Sequence, residues 1–262
     1  MNLDLSNKTA VVCGSTQGLG FACATELALM GAHVVLFARN AERLEEARRQ
    51  LDQSKGQKHL CLQADFTDTL AVKNTIEQYV HNGGHADILI NNTGGPASGP
   101  ILNAGLHEFS DAFNNHLINN HQLVQALVPG MKAAGWGRII NIISTSVKAP
   151  LHNLGVSNTI RAAVANWAKT LANELAPFGI TVNNVLPGFT QTQRADYIIH
   201  KKMTDTGATA EAVMAELVKE IPVGRIGKPE EFAAAVSFLA SPSAAYITGI
   251  NLPVDGGRLP CL

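Results

Sequence analysis

The sequence predicts an α/β fold built on a parallel sheet with helices on both faces. Short apolar runs rich in β-branched residues recur along the chain, each bounded by turn residues. Between them lie stretches whose apolar residues recur at three- and four-residue steps, as on one face of a helix. Strands that alternate with helices form parallel sheets, and near-continuously apolar strands are typical of a sheet covered on both sides.

Seven strands with intervening helices are predicted in order along the chain. The predicted strands are residues 9–14, 32–38, 59–64, 87–92, 137–144, 180–187 and 250–254. The clearest helical stripes are Leu19, Ala22, Cys23, Leu27 and Met30, and then Val156, Ile160, Ala163, Trp167 and Leu171. No repeat, low-complexity tract or flexible linker interrupts the chain, so we expect a single domain over residues 1–262.

The segment 188–226 breaks the alternation of strands and helices. It follows the sixth predicted strand and contains two short amphipathic pieces, RADYIIHKKM and AEAVMAELVKEI. Because ligands bind beyond the carboxyl ends of the strands in an open α/β sheet, we predict a substrate lid at about residues 188–226. Tyr197 and His200 are candidate ligand contacts there, although an ordinary amphipathic helix contains such residues too.

Composition and charge favour small-molecule chemistry. The chain of 262 residues is 46% hydrophobic with a formal net charge of −1, so we expect neither nucleic acid nor a membrane as partner. Cys13, Cys23, Cys61 and Cys261 lack metal-ligand spacing, so we expect no metal site, reduced thiols and a cytoplasmic protein. The N-terminus lacks a signal-peptide pattern, and no apolar run approaches the ~18 residues of a membrane span.

Glycines after the first predicted strand indicate a phosphate-binding loop. Gly14, Gly18 and Gly20 stand where that strand turns into a helix, and bare backbone there lets a pyrophosphate approach the free N–H groups of the helix N-terminus. A tight turn alone also selects glycine, but the strand-turn-helix context favours a dinucleotide site. The remaining candidate contacts in this loop are Ser15, Thr16, Gln17 and Leu19.

The end of the second predicted strand favours NADP(H) over NAD(H). A protein that prefers NAD usually has Asp or Glu there to bind the ribose 2′-hydroxyl. Here Ala38 is followed by Arg39, which offers a guanidinium to a 2′-phosphate, with Asn40 beside it. Asp65, with Phe66 after it, is placed to hold the adenine amino group, although Asp65 could equally cap the following helix.

Ordered motifs over nearly the whole chain resemble one enzyme family. They are GSTQGLG at 14–20, NNTG at 91–94, GRIINIIS at 137–144, PG at 187–188 with Thr192, RIGKPEEFA at 225–233 and YITGINLPVDGG at 246–257. In these motifs the chain resembles the short-chain dehydrogenases/reductases, especially the 3-oxoacyl-carrier-protein reductase-like branch.

That resemblance implies a Rossmann-type doubly wound seven-stranded parallel sheet, in three α/β/α layers, with a nicotinamide cofactor. The further cofactor contacts that it implies are Asn92, Gly94, Arg161, Pro187, Gly188 and Thr192. It also implies a homo-oligomer, either a dimer or a tetramer. An apolar face with Trp167, Leu171 and Leu175 fits such an interface, although the same face could pack on its own sheet.

The catalytic positions implied by the resemblance carry unusual residues. Ser144 matches the family serine, but Ser157 stands where the family has tyrosine, Arg161 where it has lysine, and His116 where it has asparagine. In the family, the tyrosine donates a proton to the carbonyl oxygen, while the lysine holds the nicotinamide ribose and lowers the phenol pKa from its usual ~10. Arg161 could still bind the ribose hydroxyls and supply positive charge. A serine hydroxyl is a far weaker acid than a phenol, and a guanidinium stays protonated.

Three functions remain open from the sequence. The protein reduces a carbonyl with another proton donor, for which His116 and His152 are the nearest histidines in sequence. Alternatively, it reduces an activated C=C bond, with Ser144 and Arg161 stabilising the enolate while water protonates carbon. Finally, it binds NADP(H) without turnover, as a sensor or assembly partner. Independently of these functions, the alternative role of Ser157 is simply to cap or pack its helix.

Overall fold

The computed structural model describes residues 1–261 and places seven strands in one parallel sheet. The strands are β1 (Thr9–Cys13), β2 (His33–Ala38), β3 (Leu60–Gln63), β4 (Ile88–Asn91), β5 (Gly137–Ile142), β6 (Ile180–Pro187) and β7 (Asn251–Val254). Their order across the sheet is β3-β2-β1-β4-β5-β6-β7, and every neighbouring pair runs parallel. The predicted doubly wound, seven-stranded sheet is confirmed.

Helices cover both faces of this sheet. They are α1 (Gly18–Leu29), α2 (Ala41–Gln50), α3 (Thr69–His81), α4 (Leu106–Phe113), α5 (Asn119–Ala134), α6 (Gly155–Leu175), α7 (Gln193–Thr206), α8 (Ala210–Lys219) and α9 (Pro229–Ala240). Helix α1 packs against α9, and α3 packs against α5. Alternate strand residues feed two separate cores: Val12 and Ile90 contribute to one, and Val11 and Leu89 to the other. The three-layer arrangement is therefore confirmed.

The strands differ in burial more than the apolar runs predict. The central strands β1 and β4 are buried throughout, whereas β3 lies at the sheet edge and its Leu60 is about half exposed. Strand β3 is less buried than the central strands because an edge strand has a neighbouring strand on one side only.

A row of asparagine side chains crosses half of the sheet. Asn91 donates to Asn141 at 2.8 Å, Asn141 donates to Asn184 at 2.9 Å, and Asn184 donates to Asn251 at 2.8 Å. These residues are paired in register from β4 to β7, so their side chains share one face. Because buried amides need hydrogen-bond partners, this row fixes the register of four strands just below the edge where their carboxyl ends meet.

The described part of the chain contains neither a membrane span nor a cluster suited to a metal ion. No helix within residues 1–261 is both long and apolar enough to cross a bilayer. Over the same residues, His, Cys, Asp and Glu side chains nowhere gather in groups of three that could hold a metal. The four cysteines are free thiols.

Candidate active site

The glycine loop after β1 is shaped for close approach to a ligand. Gly14 and Gly18 both adopt φ of +57°, a conformation that side chains other than glycine rarely take. A Cβ atom on Gly20 would overlap the Gly14 carbonyl oxygen and lie 2.7 Å from Asn92 Nδ2. That Nδ2 donates to the carbonyl oxygens of Cys13 and Gly14, each at 3.2 Å. Asn92, which directly follows β4, therefore stabilises the glycine loop through these two hydrogen bonds.

The start of α1 leaves its N–H groups available. Gln17 is the N-cap residue, yet its side chain makes no capping hydrogen bond and instead accepts from Arg43 at 3.3 Å. Uncapped N–H groups and the positive end of the helix dipole suit a pyrophosphate. Ser15 is buried, and its hydroxyl accepts from the Phe37 amide at 3.0 Å, so this side chain holds the loop to β2. Thr16 is half-buried, whereas Leu19 packs against the core.

The predicted adenosine end brings together residues from the loops that follow β2 and β3. Arg39 Nη1 lies 4.0 Å from Asp65 Oδ2, and the side chain of Arg39 is 76% exposed. Asn40 accepts from the Arg43 amide at 2.8 Å and thereby caps α2. Arg43 is a residue that the sequence reasoning missed, because a lone arginine on an exposed helix face carries no pattern.

Asp65 does not cap the following helix. Asp68 is the N-cap of α3 and accepts from Leu70 and Ala71, so the capping alternative for Asp65 is wrong. Asp65 accepts instead from the Thr67 amide at 3.0 Å, and this hydrogen bond holds the pKa of its carboxyl below the usual value. The backbone of the next residue, Phe66, is held by α5, since its carbonyl oxygen accepts a hydrogen bond from the Asn119 side chain at 2.7 Å.

Three of the four predicted catalytic positions lie around the end of β5. Ser144 comes two residues after the strand ends, and its Oγ accepts from the Ser146 amide at 3.1 Å, so its own proton remains to be donated. Arg161 on α6 donates from Nη1 to the Ile142 carbonyl oxygen at 2.9 Å. Burial lowers the pKa of Arg161 to about 10, so the guanidinium stays charged at neutral pH.

His116 is a buried, neutral side chain. It lies in a π-helical turn, Asn114–Ile118, which joins α4 to α5, and such turns are frequent at functional sites. Its Nδ1 is hydrogen-bonded to the hydroxyl of Thr93. Burial, and then the nearby charge of Arg161, lowers the pKa of His116 well below its usual 6.5. Sequence reasoning missed Thr93, although its place within NNTG put it beside two predicted cofactor contacts.

Ser157 lies near the start of α6. It is half-buried on the first turn of α6, whose N-cap is Leu154, so the alternative that Ser157 caps this helix is wrong. The chain has three tyrosines: Tyr79 donates to the His85 carbonyl oxygen, Tyr197 lies on α7 and Tyr246 is fully exposed.

The segment after β6 contacts the glycine loop and the loop that follows β4. Thr192 caps α7 by accepting from the Ala195 amide at 3.4 Å, and a Cβ atom on Gly18 would lie 3.6 Å from its methyl carbon. Arg194 donates to the Pro96 carbonyl oxygen at 3.2 Å, and Lys201 donates to the Ser98 hydroxyl at 3.2 Å. Helix α7 is therefore tied to the loop that follows β4.

Most of the other residues predicted to contact a ligand are exposed, and Gly188 is packed tightly against β7 and the residue that follows it. Tyr197 is 54% exposed with its ring 5.3 Å from the Arg194 guanidinium, and His200 and His152 are exposed as well. Gly188, next to Pro187, donates to the Val254 carbonyl oxygen at 2.9 Å, and a Cβ atom there would overlap Asp255. Gly94 is exposed with open space around it.

The apolar stripe of α6 faces its own sheet. Leu175 is buried, and Trp167 and Leu171 pack against the same core cluster. This packing accounts for the stripe without a second subunit, so it gives no independent support to an oligomer.

Comparisons with known proteins agree with this geometry. A family model described as enoyl-(acyl carrier protein) reductase matches residues 14–258. The 3-oxoacyl-[acyl-carrier-protein] reductase FabG of Pseudomonas aeruginosa is 35% identical over 97% of this chain and 98% of its own. The NADPH-dependent reductase BacG of Bacillus subtilis is 30% identical over 97% of this chain and 99% of its own.

A solved structure gives the same result at the level of the fold. The L-sorbose reductase of Gluconobacter frateurii, determined with NADPH and L-sorbose, has a TM-score of 0.94 and 34% identity, with 100% of both chains covered. The family model matches nearly the whole chain, and the fold agrees with that of the solved relative. The glycine loop also lies at the expected turn between strand and helix. These findings identify the family. The chain is an oxidoreductase and belongs to the short-chain dehydrogenase/reductase family.

Proposed function

We propose that the protein is an NADP(H)-dependent reductase that acts on a carbon–carbon double bond activated by a neighbouring carbonyl group. One observation carries this proposal: the Ser144 hydroxyl and the Arg161 guanidinium are hydrogen-bond donors for an oxyanion, whereas Ser157 and Arg161 stand where the family has its tyrosine and lysine. NADPH, when bound, supplies a hydride and becomes NADP⁺.

The cofactor preference follows from the adenosine end of the site. Arg39 and Arg43 place two guanidinium groups near the end of β2, where a carboxylate would favour NAD. A guanidinium binds phosphate through paired, charge-assisted hydrogen bonds. The fit of a dinucleotide is supported by Gly20, where any side chain would fill the space of the loop. Relatives that are named as NADPH-dependent or were solved with NADPH agree.

The chain's donors suit an enolate better than an alkoxide. When hydride adds to the β-carbon, the double-bond electron pair moves onto the carbonyl oxygen, where the Ser144 hydroxyl and the Arg161 guanidinium stabilise the negative charge. Water then protonates the α-carbon and the carbonyl re-forms. Ketone reduction instead produces an alkoxide that needs a proton at oxygen, and His116 is a poor source because burial keeps it neutral.

Carbonyl reduction is the second candidate. It is favoured by the relatives that are named for it, the 3-oxoacyl-[acyl-carrier-protein] reductase and the L-sorbose reductase. In that case Ser144, or His116 through its hydrogen bond to Thr93, has to supply the proton.

The test compares matched substrates. NADPH consumption is followed with crotonyl and 3-oxobutyryl thioesters, but-3-en-2-one and butan-2-one. We expect consumption with the unsaturated compounds only, with cofactor deuterium at the β-carbon and solvent deuterium at the α-carbon. Consumption with only the ketones overturns the proposal in favour of carbonyl reduction. Tight NADPH binding without consumption on any substrate favours the non-catalytic sensor.

Two serines provide the matched variants. Ser144→Ala removes the proposed oxyanion donor, and we expect kcat to fall about 100-fold, as for the loss of one such donor. Ser146→Ala removes a buried hydroxyl that has no hydrogen-bond partner, so kcat should stay near that of the wild type. Equal losses in the two variants would argue against the role of Ser144.

The remaining expectations belong to the same proposal. Residues 188–226, with α7 and α8, act as the lid of a single-domain cytoplasmic enzyme that binds a small-molecule or acyl-thioester substrate. The protein forms a homo-oligomer, a dimer or a tetramer, which light scattering tests directly. The fully exposed Tyr246 and the 95% exposed Leu102 are apolar groups that such an interface would cover.

A further inference from the structure

A cavity lies at the end of the sheet opposite to the glycine loop. Its volume of about 550 Å³ is within the range of small-molecule sites, and it lies between α3 and the beginnings of β1, β2 and β3. The glycine loop, in contrast, follows the carboxyl end of β1. The cavity is therefore separate from the candidate active site. Its walls include Thr9, His33, Lys58, Leu60, Tyr79 and His85.

The loop between α3 and β4 fixes one wall of this cavity. Gly84 lies so close to Tyr79 that a Cβ atom there would overlap the ring. The Tyr79 hydroxyl donates to the His85 carbonyl oxygen at 2.7 Å, and Gly83 has a φ of +86°, which turns the loop back toward the ring. The aromatic wall is thus formed before any ligand arrives, and this lowers the ordering cost of binding.

The lining changes from basic to apolar along the strands. Thr9 pairs with His33 where β1 and β2 begin, and two residues further along β2, Val35 pairs with Leu60. Residues two apart in a strand share one face of the sheet, so these pairs form successive rows of one wall. Lys58 stands beside the first row, because its amide donates to His33 Nδ1 at 2.8 Å. Such a gradient fits a ligand with a polar head and an apolar tail.

The polar end of the cavity is suited to a negative charge. No Asp or Glu in the part of the chain that the structure describes lines the cavity. Lys58 is exposed and forms no ion pair within residues 1–261. Because His33 Nδ1 accepts a hydrogen bond, the ring carries its proton on Nε2, which remains a donor. His85 Nε2 lies 3.2 Å from Thr9 Oγ1 and 3.9 Å from Asp87 Oδ2, and that oxygen already accepts from the Thr9 amide at 2.9 Å.

We propose that this cavity binds an organic anion with an apolar tail, such as a medium-chain carboxylate. The carboxylate accepts charge-assisted hydrogen bonds from Lys58 Nζ and His33 Nε2. The tail lies along Leu60, which is 52% exposed when the cavity is empty, and along the Tyr79 ring. Burial of the tail favours binding in proportion to the apolar area that leaves water. This inference does not depend on the proposed function, since the two sites lie at opposite ends of the sheet.

Four small molecules separate the contributions of head and tail. Octanoate, octan-1-ol, octan-1-amine and acetate are each titrated calorimetrically into the full chain. We expect octanoate to bind about tenfold more tightly than the alcohol and the amine, the lower end of the range for hydrogen bonds to a charged group, and acetate to bind more weakly than octanoate. Equal binding of octanoate and octan-1-amine would contradict the role of charge. Displacement of octanoate by NADP⁺ would place it in the cofactor cleft and overturn the proposal.

Two matched pairs of exposed variants locate the site. Lys58→Gln should weaken octanoate binding about tenfold, whereas Lys73→Gln, on α3 and paired with Glu77 at 3.8 Å, should leave it unchanged. Gln78→Trp places a large ring on the wall of the cavity and should weaken binding about tenfold or more. Glu77→Trp is its control, because the exposed Glu77 does not line the cavity. Equal effects within either pair would mean that octanoate binds elsewhere.

Discussion

Removing the two guanidinium groups near the end of β2 tests the cofactor preference. In Arg39→Ala, a 2′-phosphate loses charge-assisted hydrogen bonds, which are worth about 1.5–3 kcal/mol each and hence about 10- to 150-fold in affinity. The Arg39 side chain is 76% exposed, so water and salt screen its charge and the lower end of the range applies. We therefore expect NADPH to bind about tenfold more weakly, and NADH to bind unchanged.

Arg43 should contribute less than Arg39. Its guanidinium is held 3.3 Å from Gln17 Oε1, which fixes its position beside the glycine loop but occupies one of its donors. The double variant Arg39→Ala/Arg43→Ala should therefore lose up to about 100-fold in NADPH affinity. Each dissociation constant is measured by cofactor fluorescence at low and at high salt, and the preference for NADPH should shrink with salt in the wild type.

A third arginine controls for the change in net charge. Arg49 is equally exposed on α2, but it lies near the end of that helix and pairs with Glu45 at 3.5 Å. Arg49→Ala should leave the affinity ratio of NADPH to NADH unchanged. Two results would contradict this reasoning: Arg39→Ala weakens the binding of NADPH and NADH alike, or the double variant retains the wild-type affinity ratio of NADPH to NADH. Either result would show that these arginines do not bind the 2′-phosphate.

The sheet and His116 give two further predictions. Asn141→Leu leaves the Asn91 Nδ2 donor and the Asn184 Oδ1 acceptor buried without partners, so urea unfolding should show a loss of about 2–6 kcal/mol in the free energy of unfolding. Because burial holds the pKa of His116 well below its usual 6.5, only the unfolded chain takes up this proton as the pH falls below about 6.5. The wild type should therefore lose more stability between about pH 7.5 and about pH 5.5 than His116→Asn does, whereas the exposed His152→Asn should behave like the wild type.

The fold was predictable because its signals are repeated along the chain. Each central strand is a short β-branched run, and burial on both faces requires such a run, so the seven predicted strands differ from the observed ones only at their ends. The glycine loop was predictable for a similar reason, since Gly14 and Gly18 need a positive φ that few other residues tolerate.

The site was only partly predictable because its contacts join distant residues. Nothing in the sequence around Thr93 shows that its hydroxyl meets His116, since a π turn sets that approach. The asparagine row left a signal that we did not use, namely polar residues such as Asn141 and Asn184 inside otherwise apolar strands. The capping alternative for Asp65 failed because α3 begins three residues later than that reading requires.

The hydrogen bonds of the site favour our proposal of a changed chemistry over a loss of function. Random replacement of catalytic residues would leave several buried polar groups unpaired, at a cost of about 1–3 kcal/mol each. Instead, His116 is hydrogen-bonded to Thr93, and Arg161 donates to Ile142. Arg161 Nε is buried without a hydrogen-bond partner, as is the Ser146 hydroxyl on the same side of the sheet edge. A site in which both large replacement side chains make hydrogen bonds, in a chain that keeps a glycine loop shaped for a dinucleotide, is better explained by selection for a bound ligand than by decay.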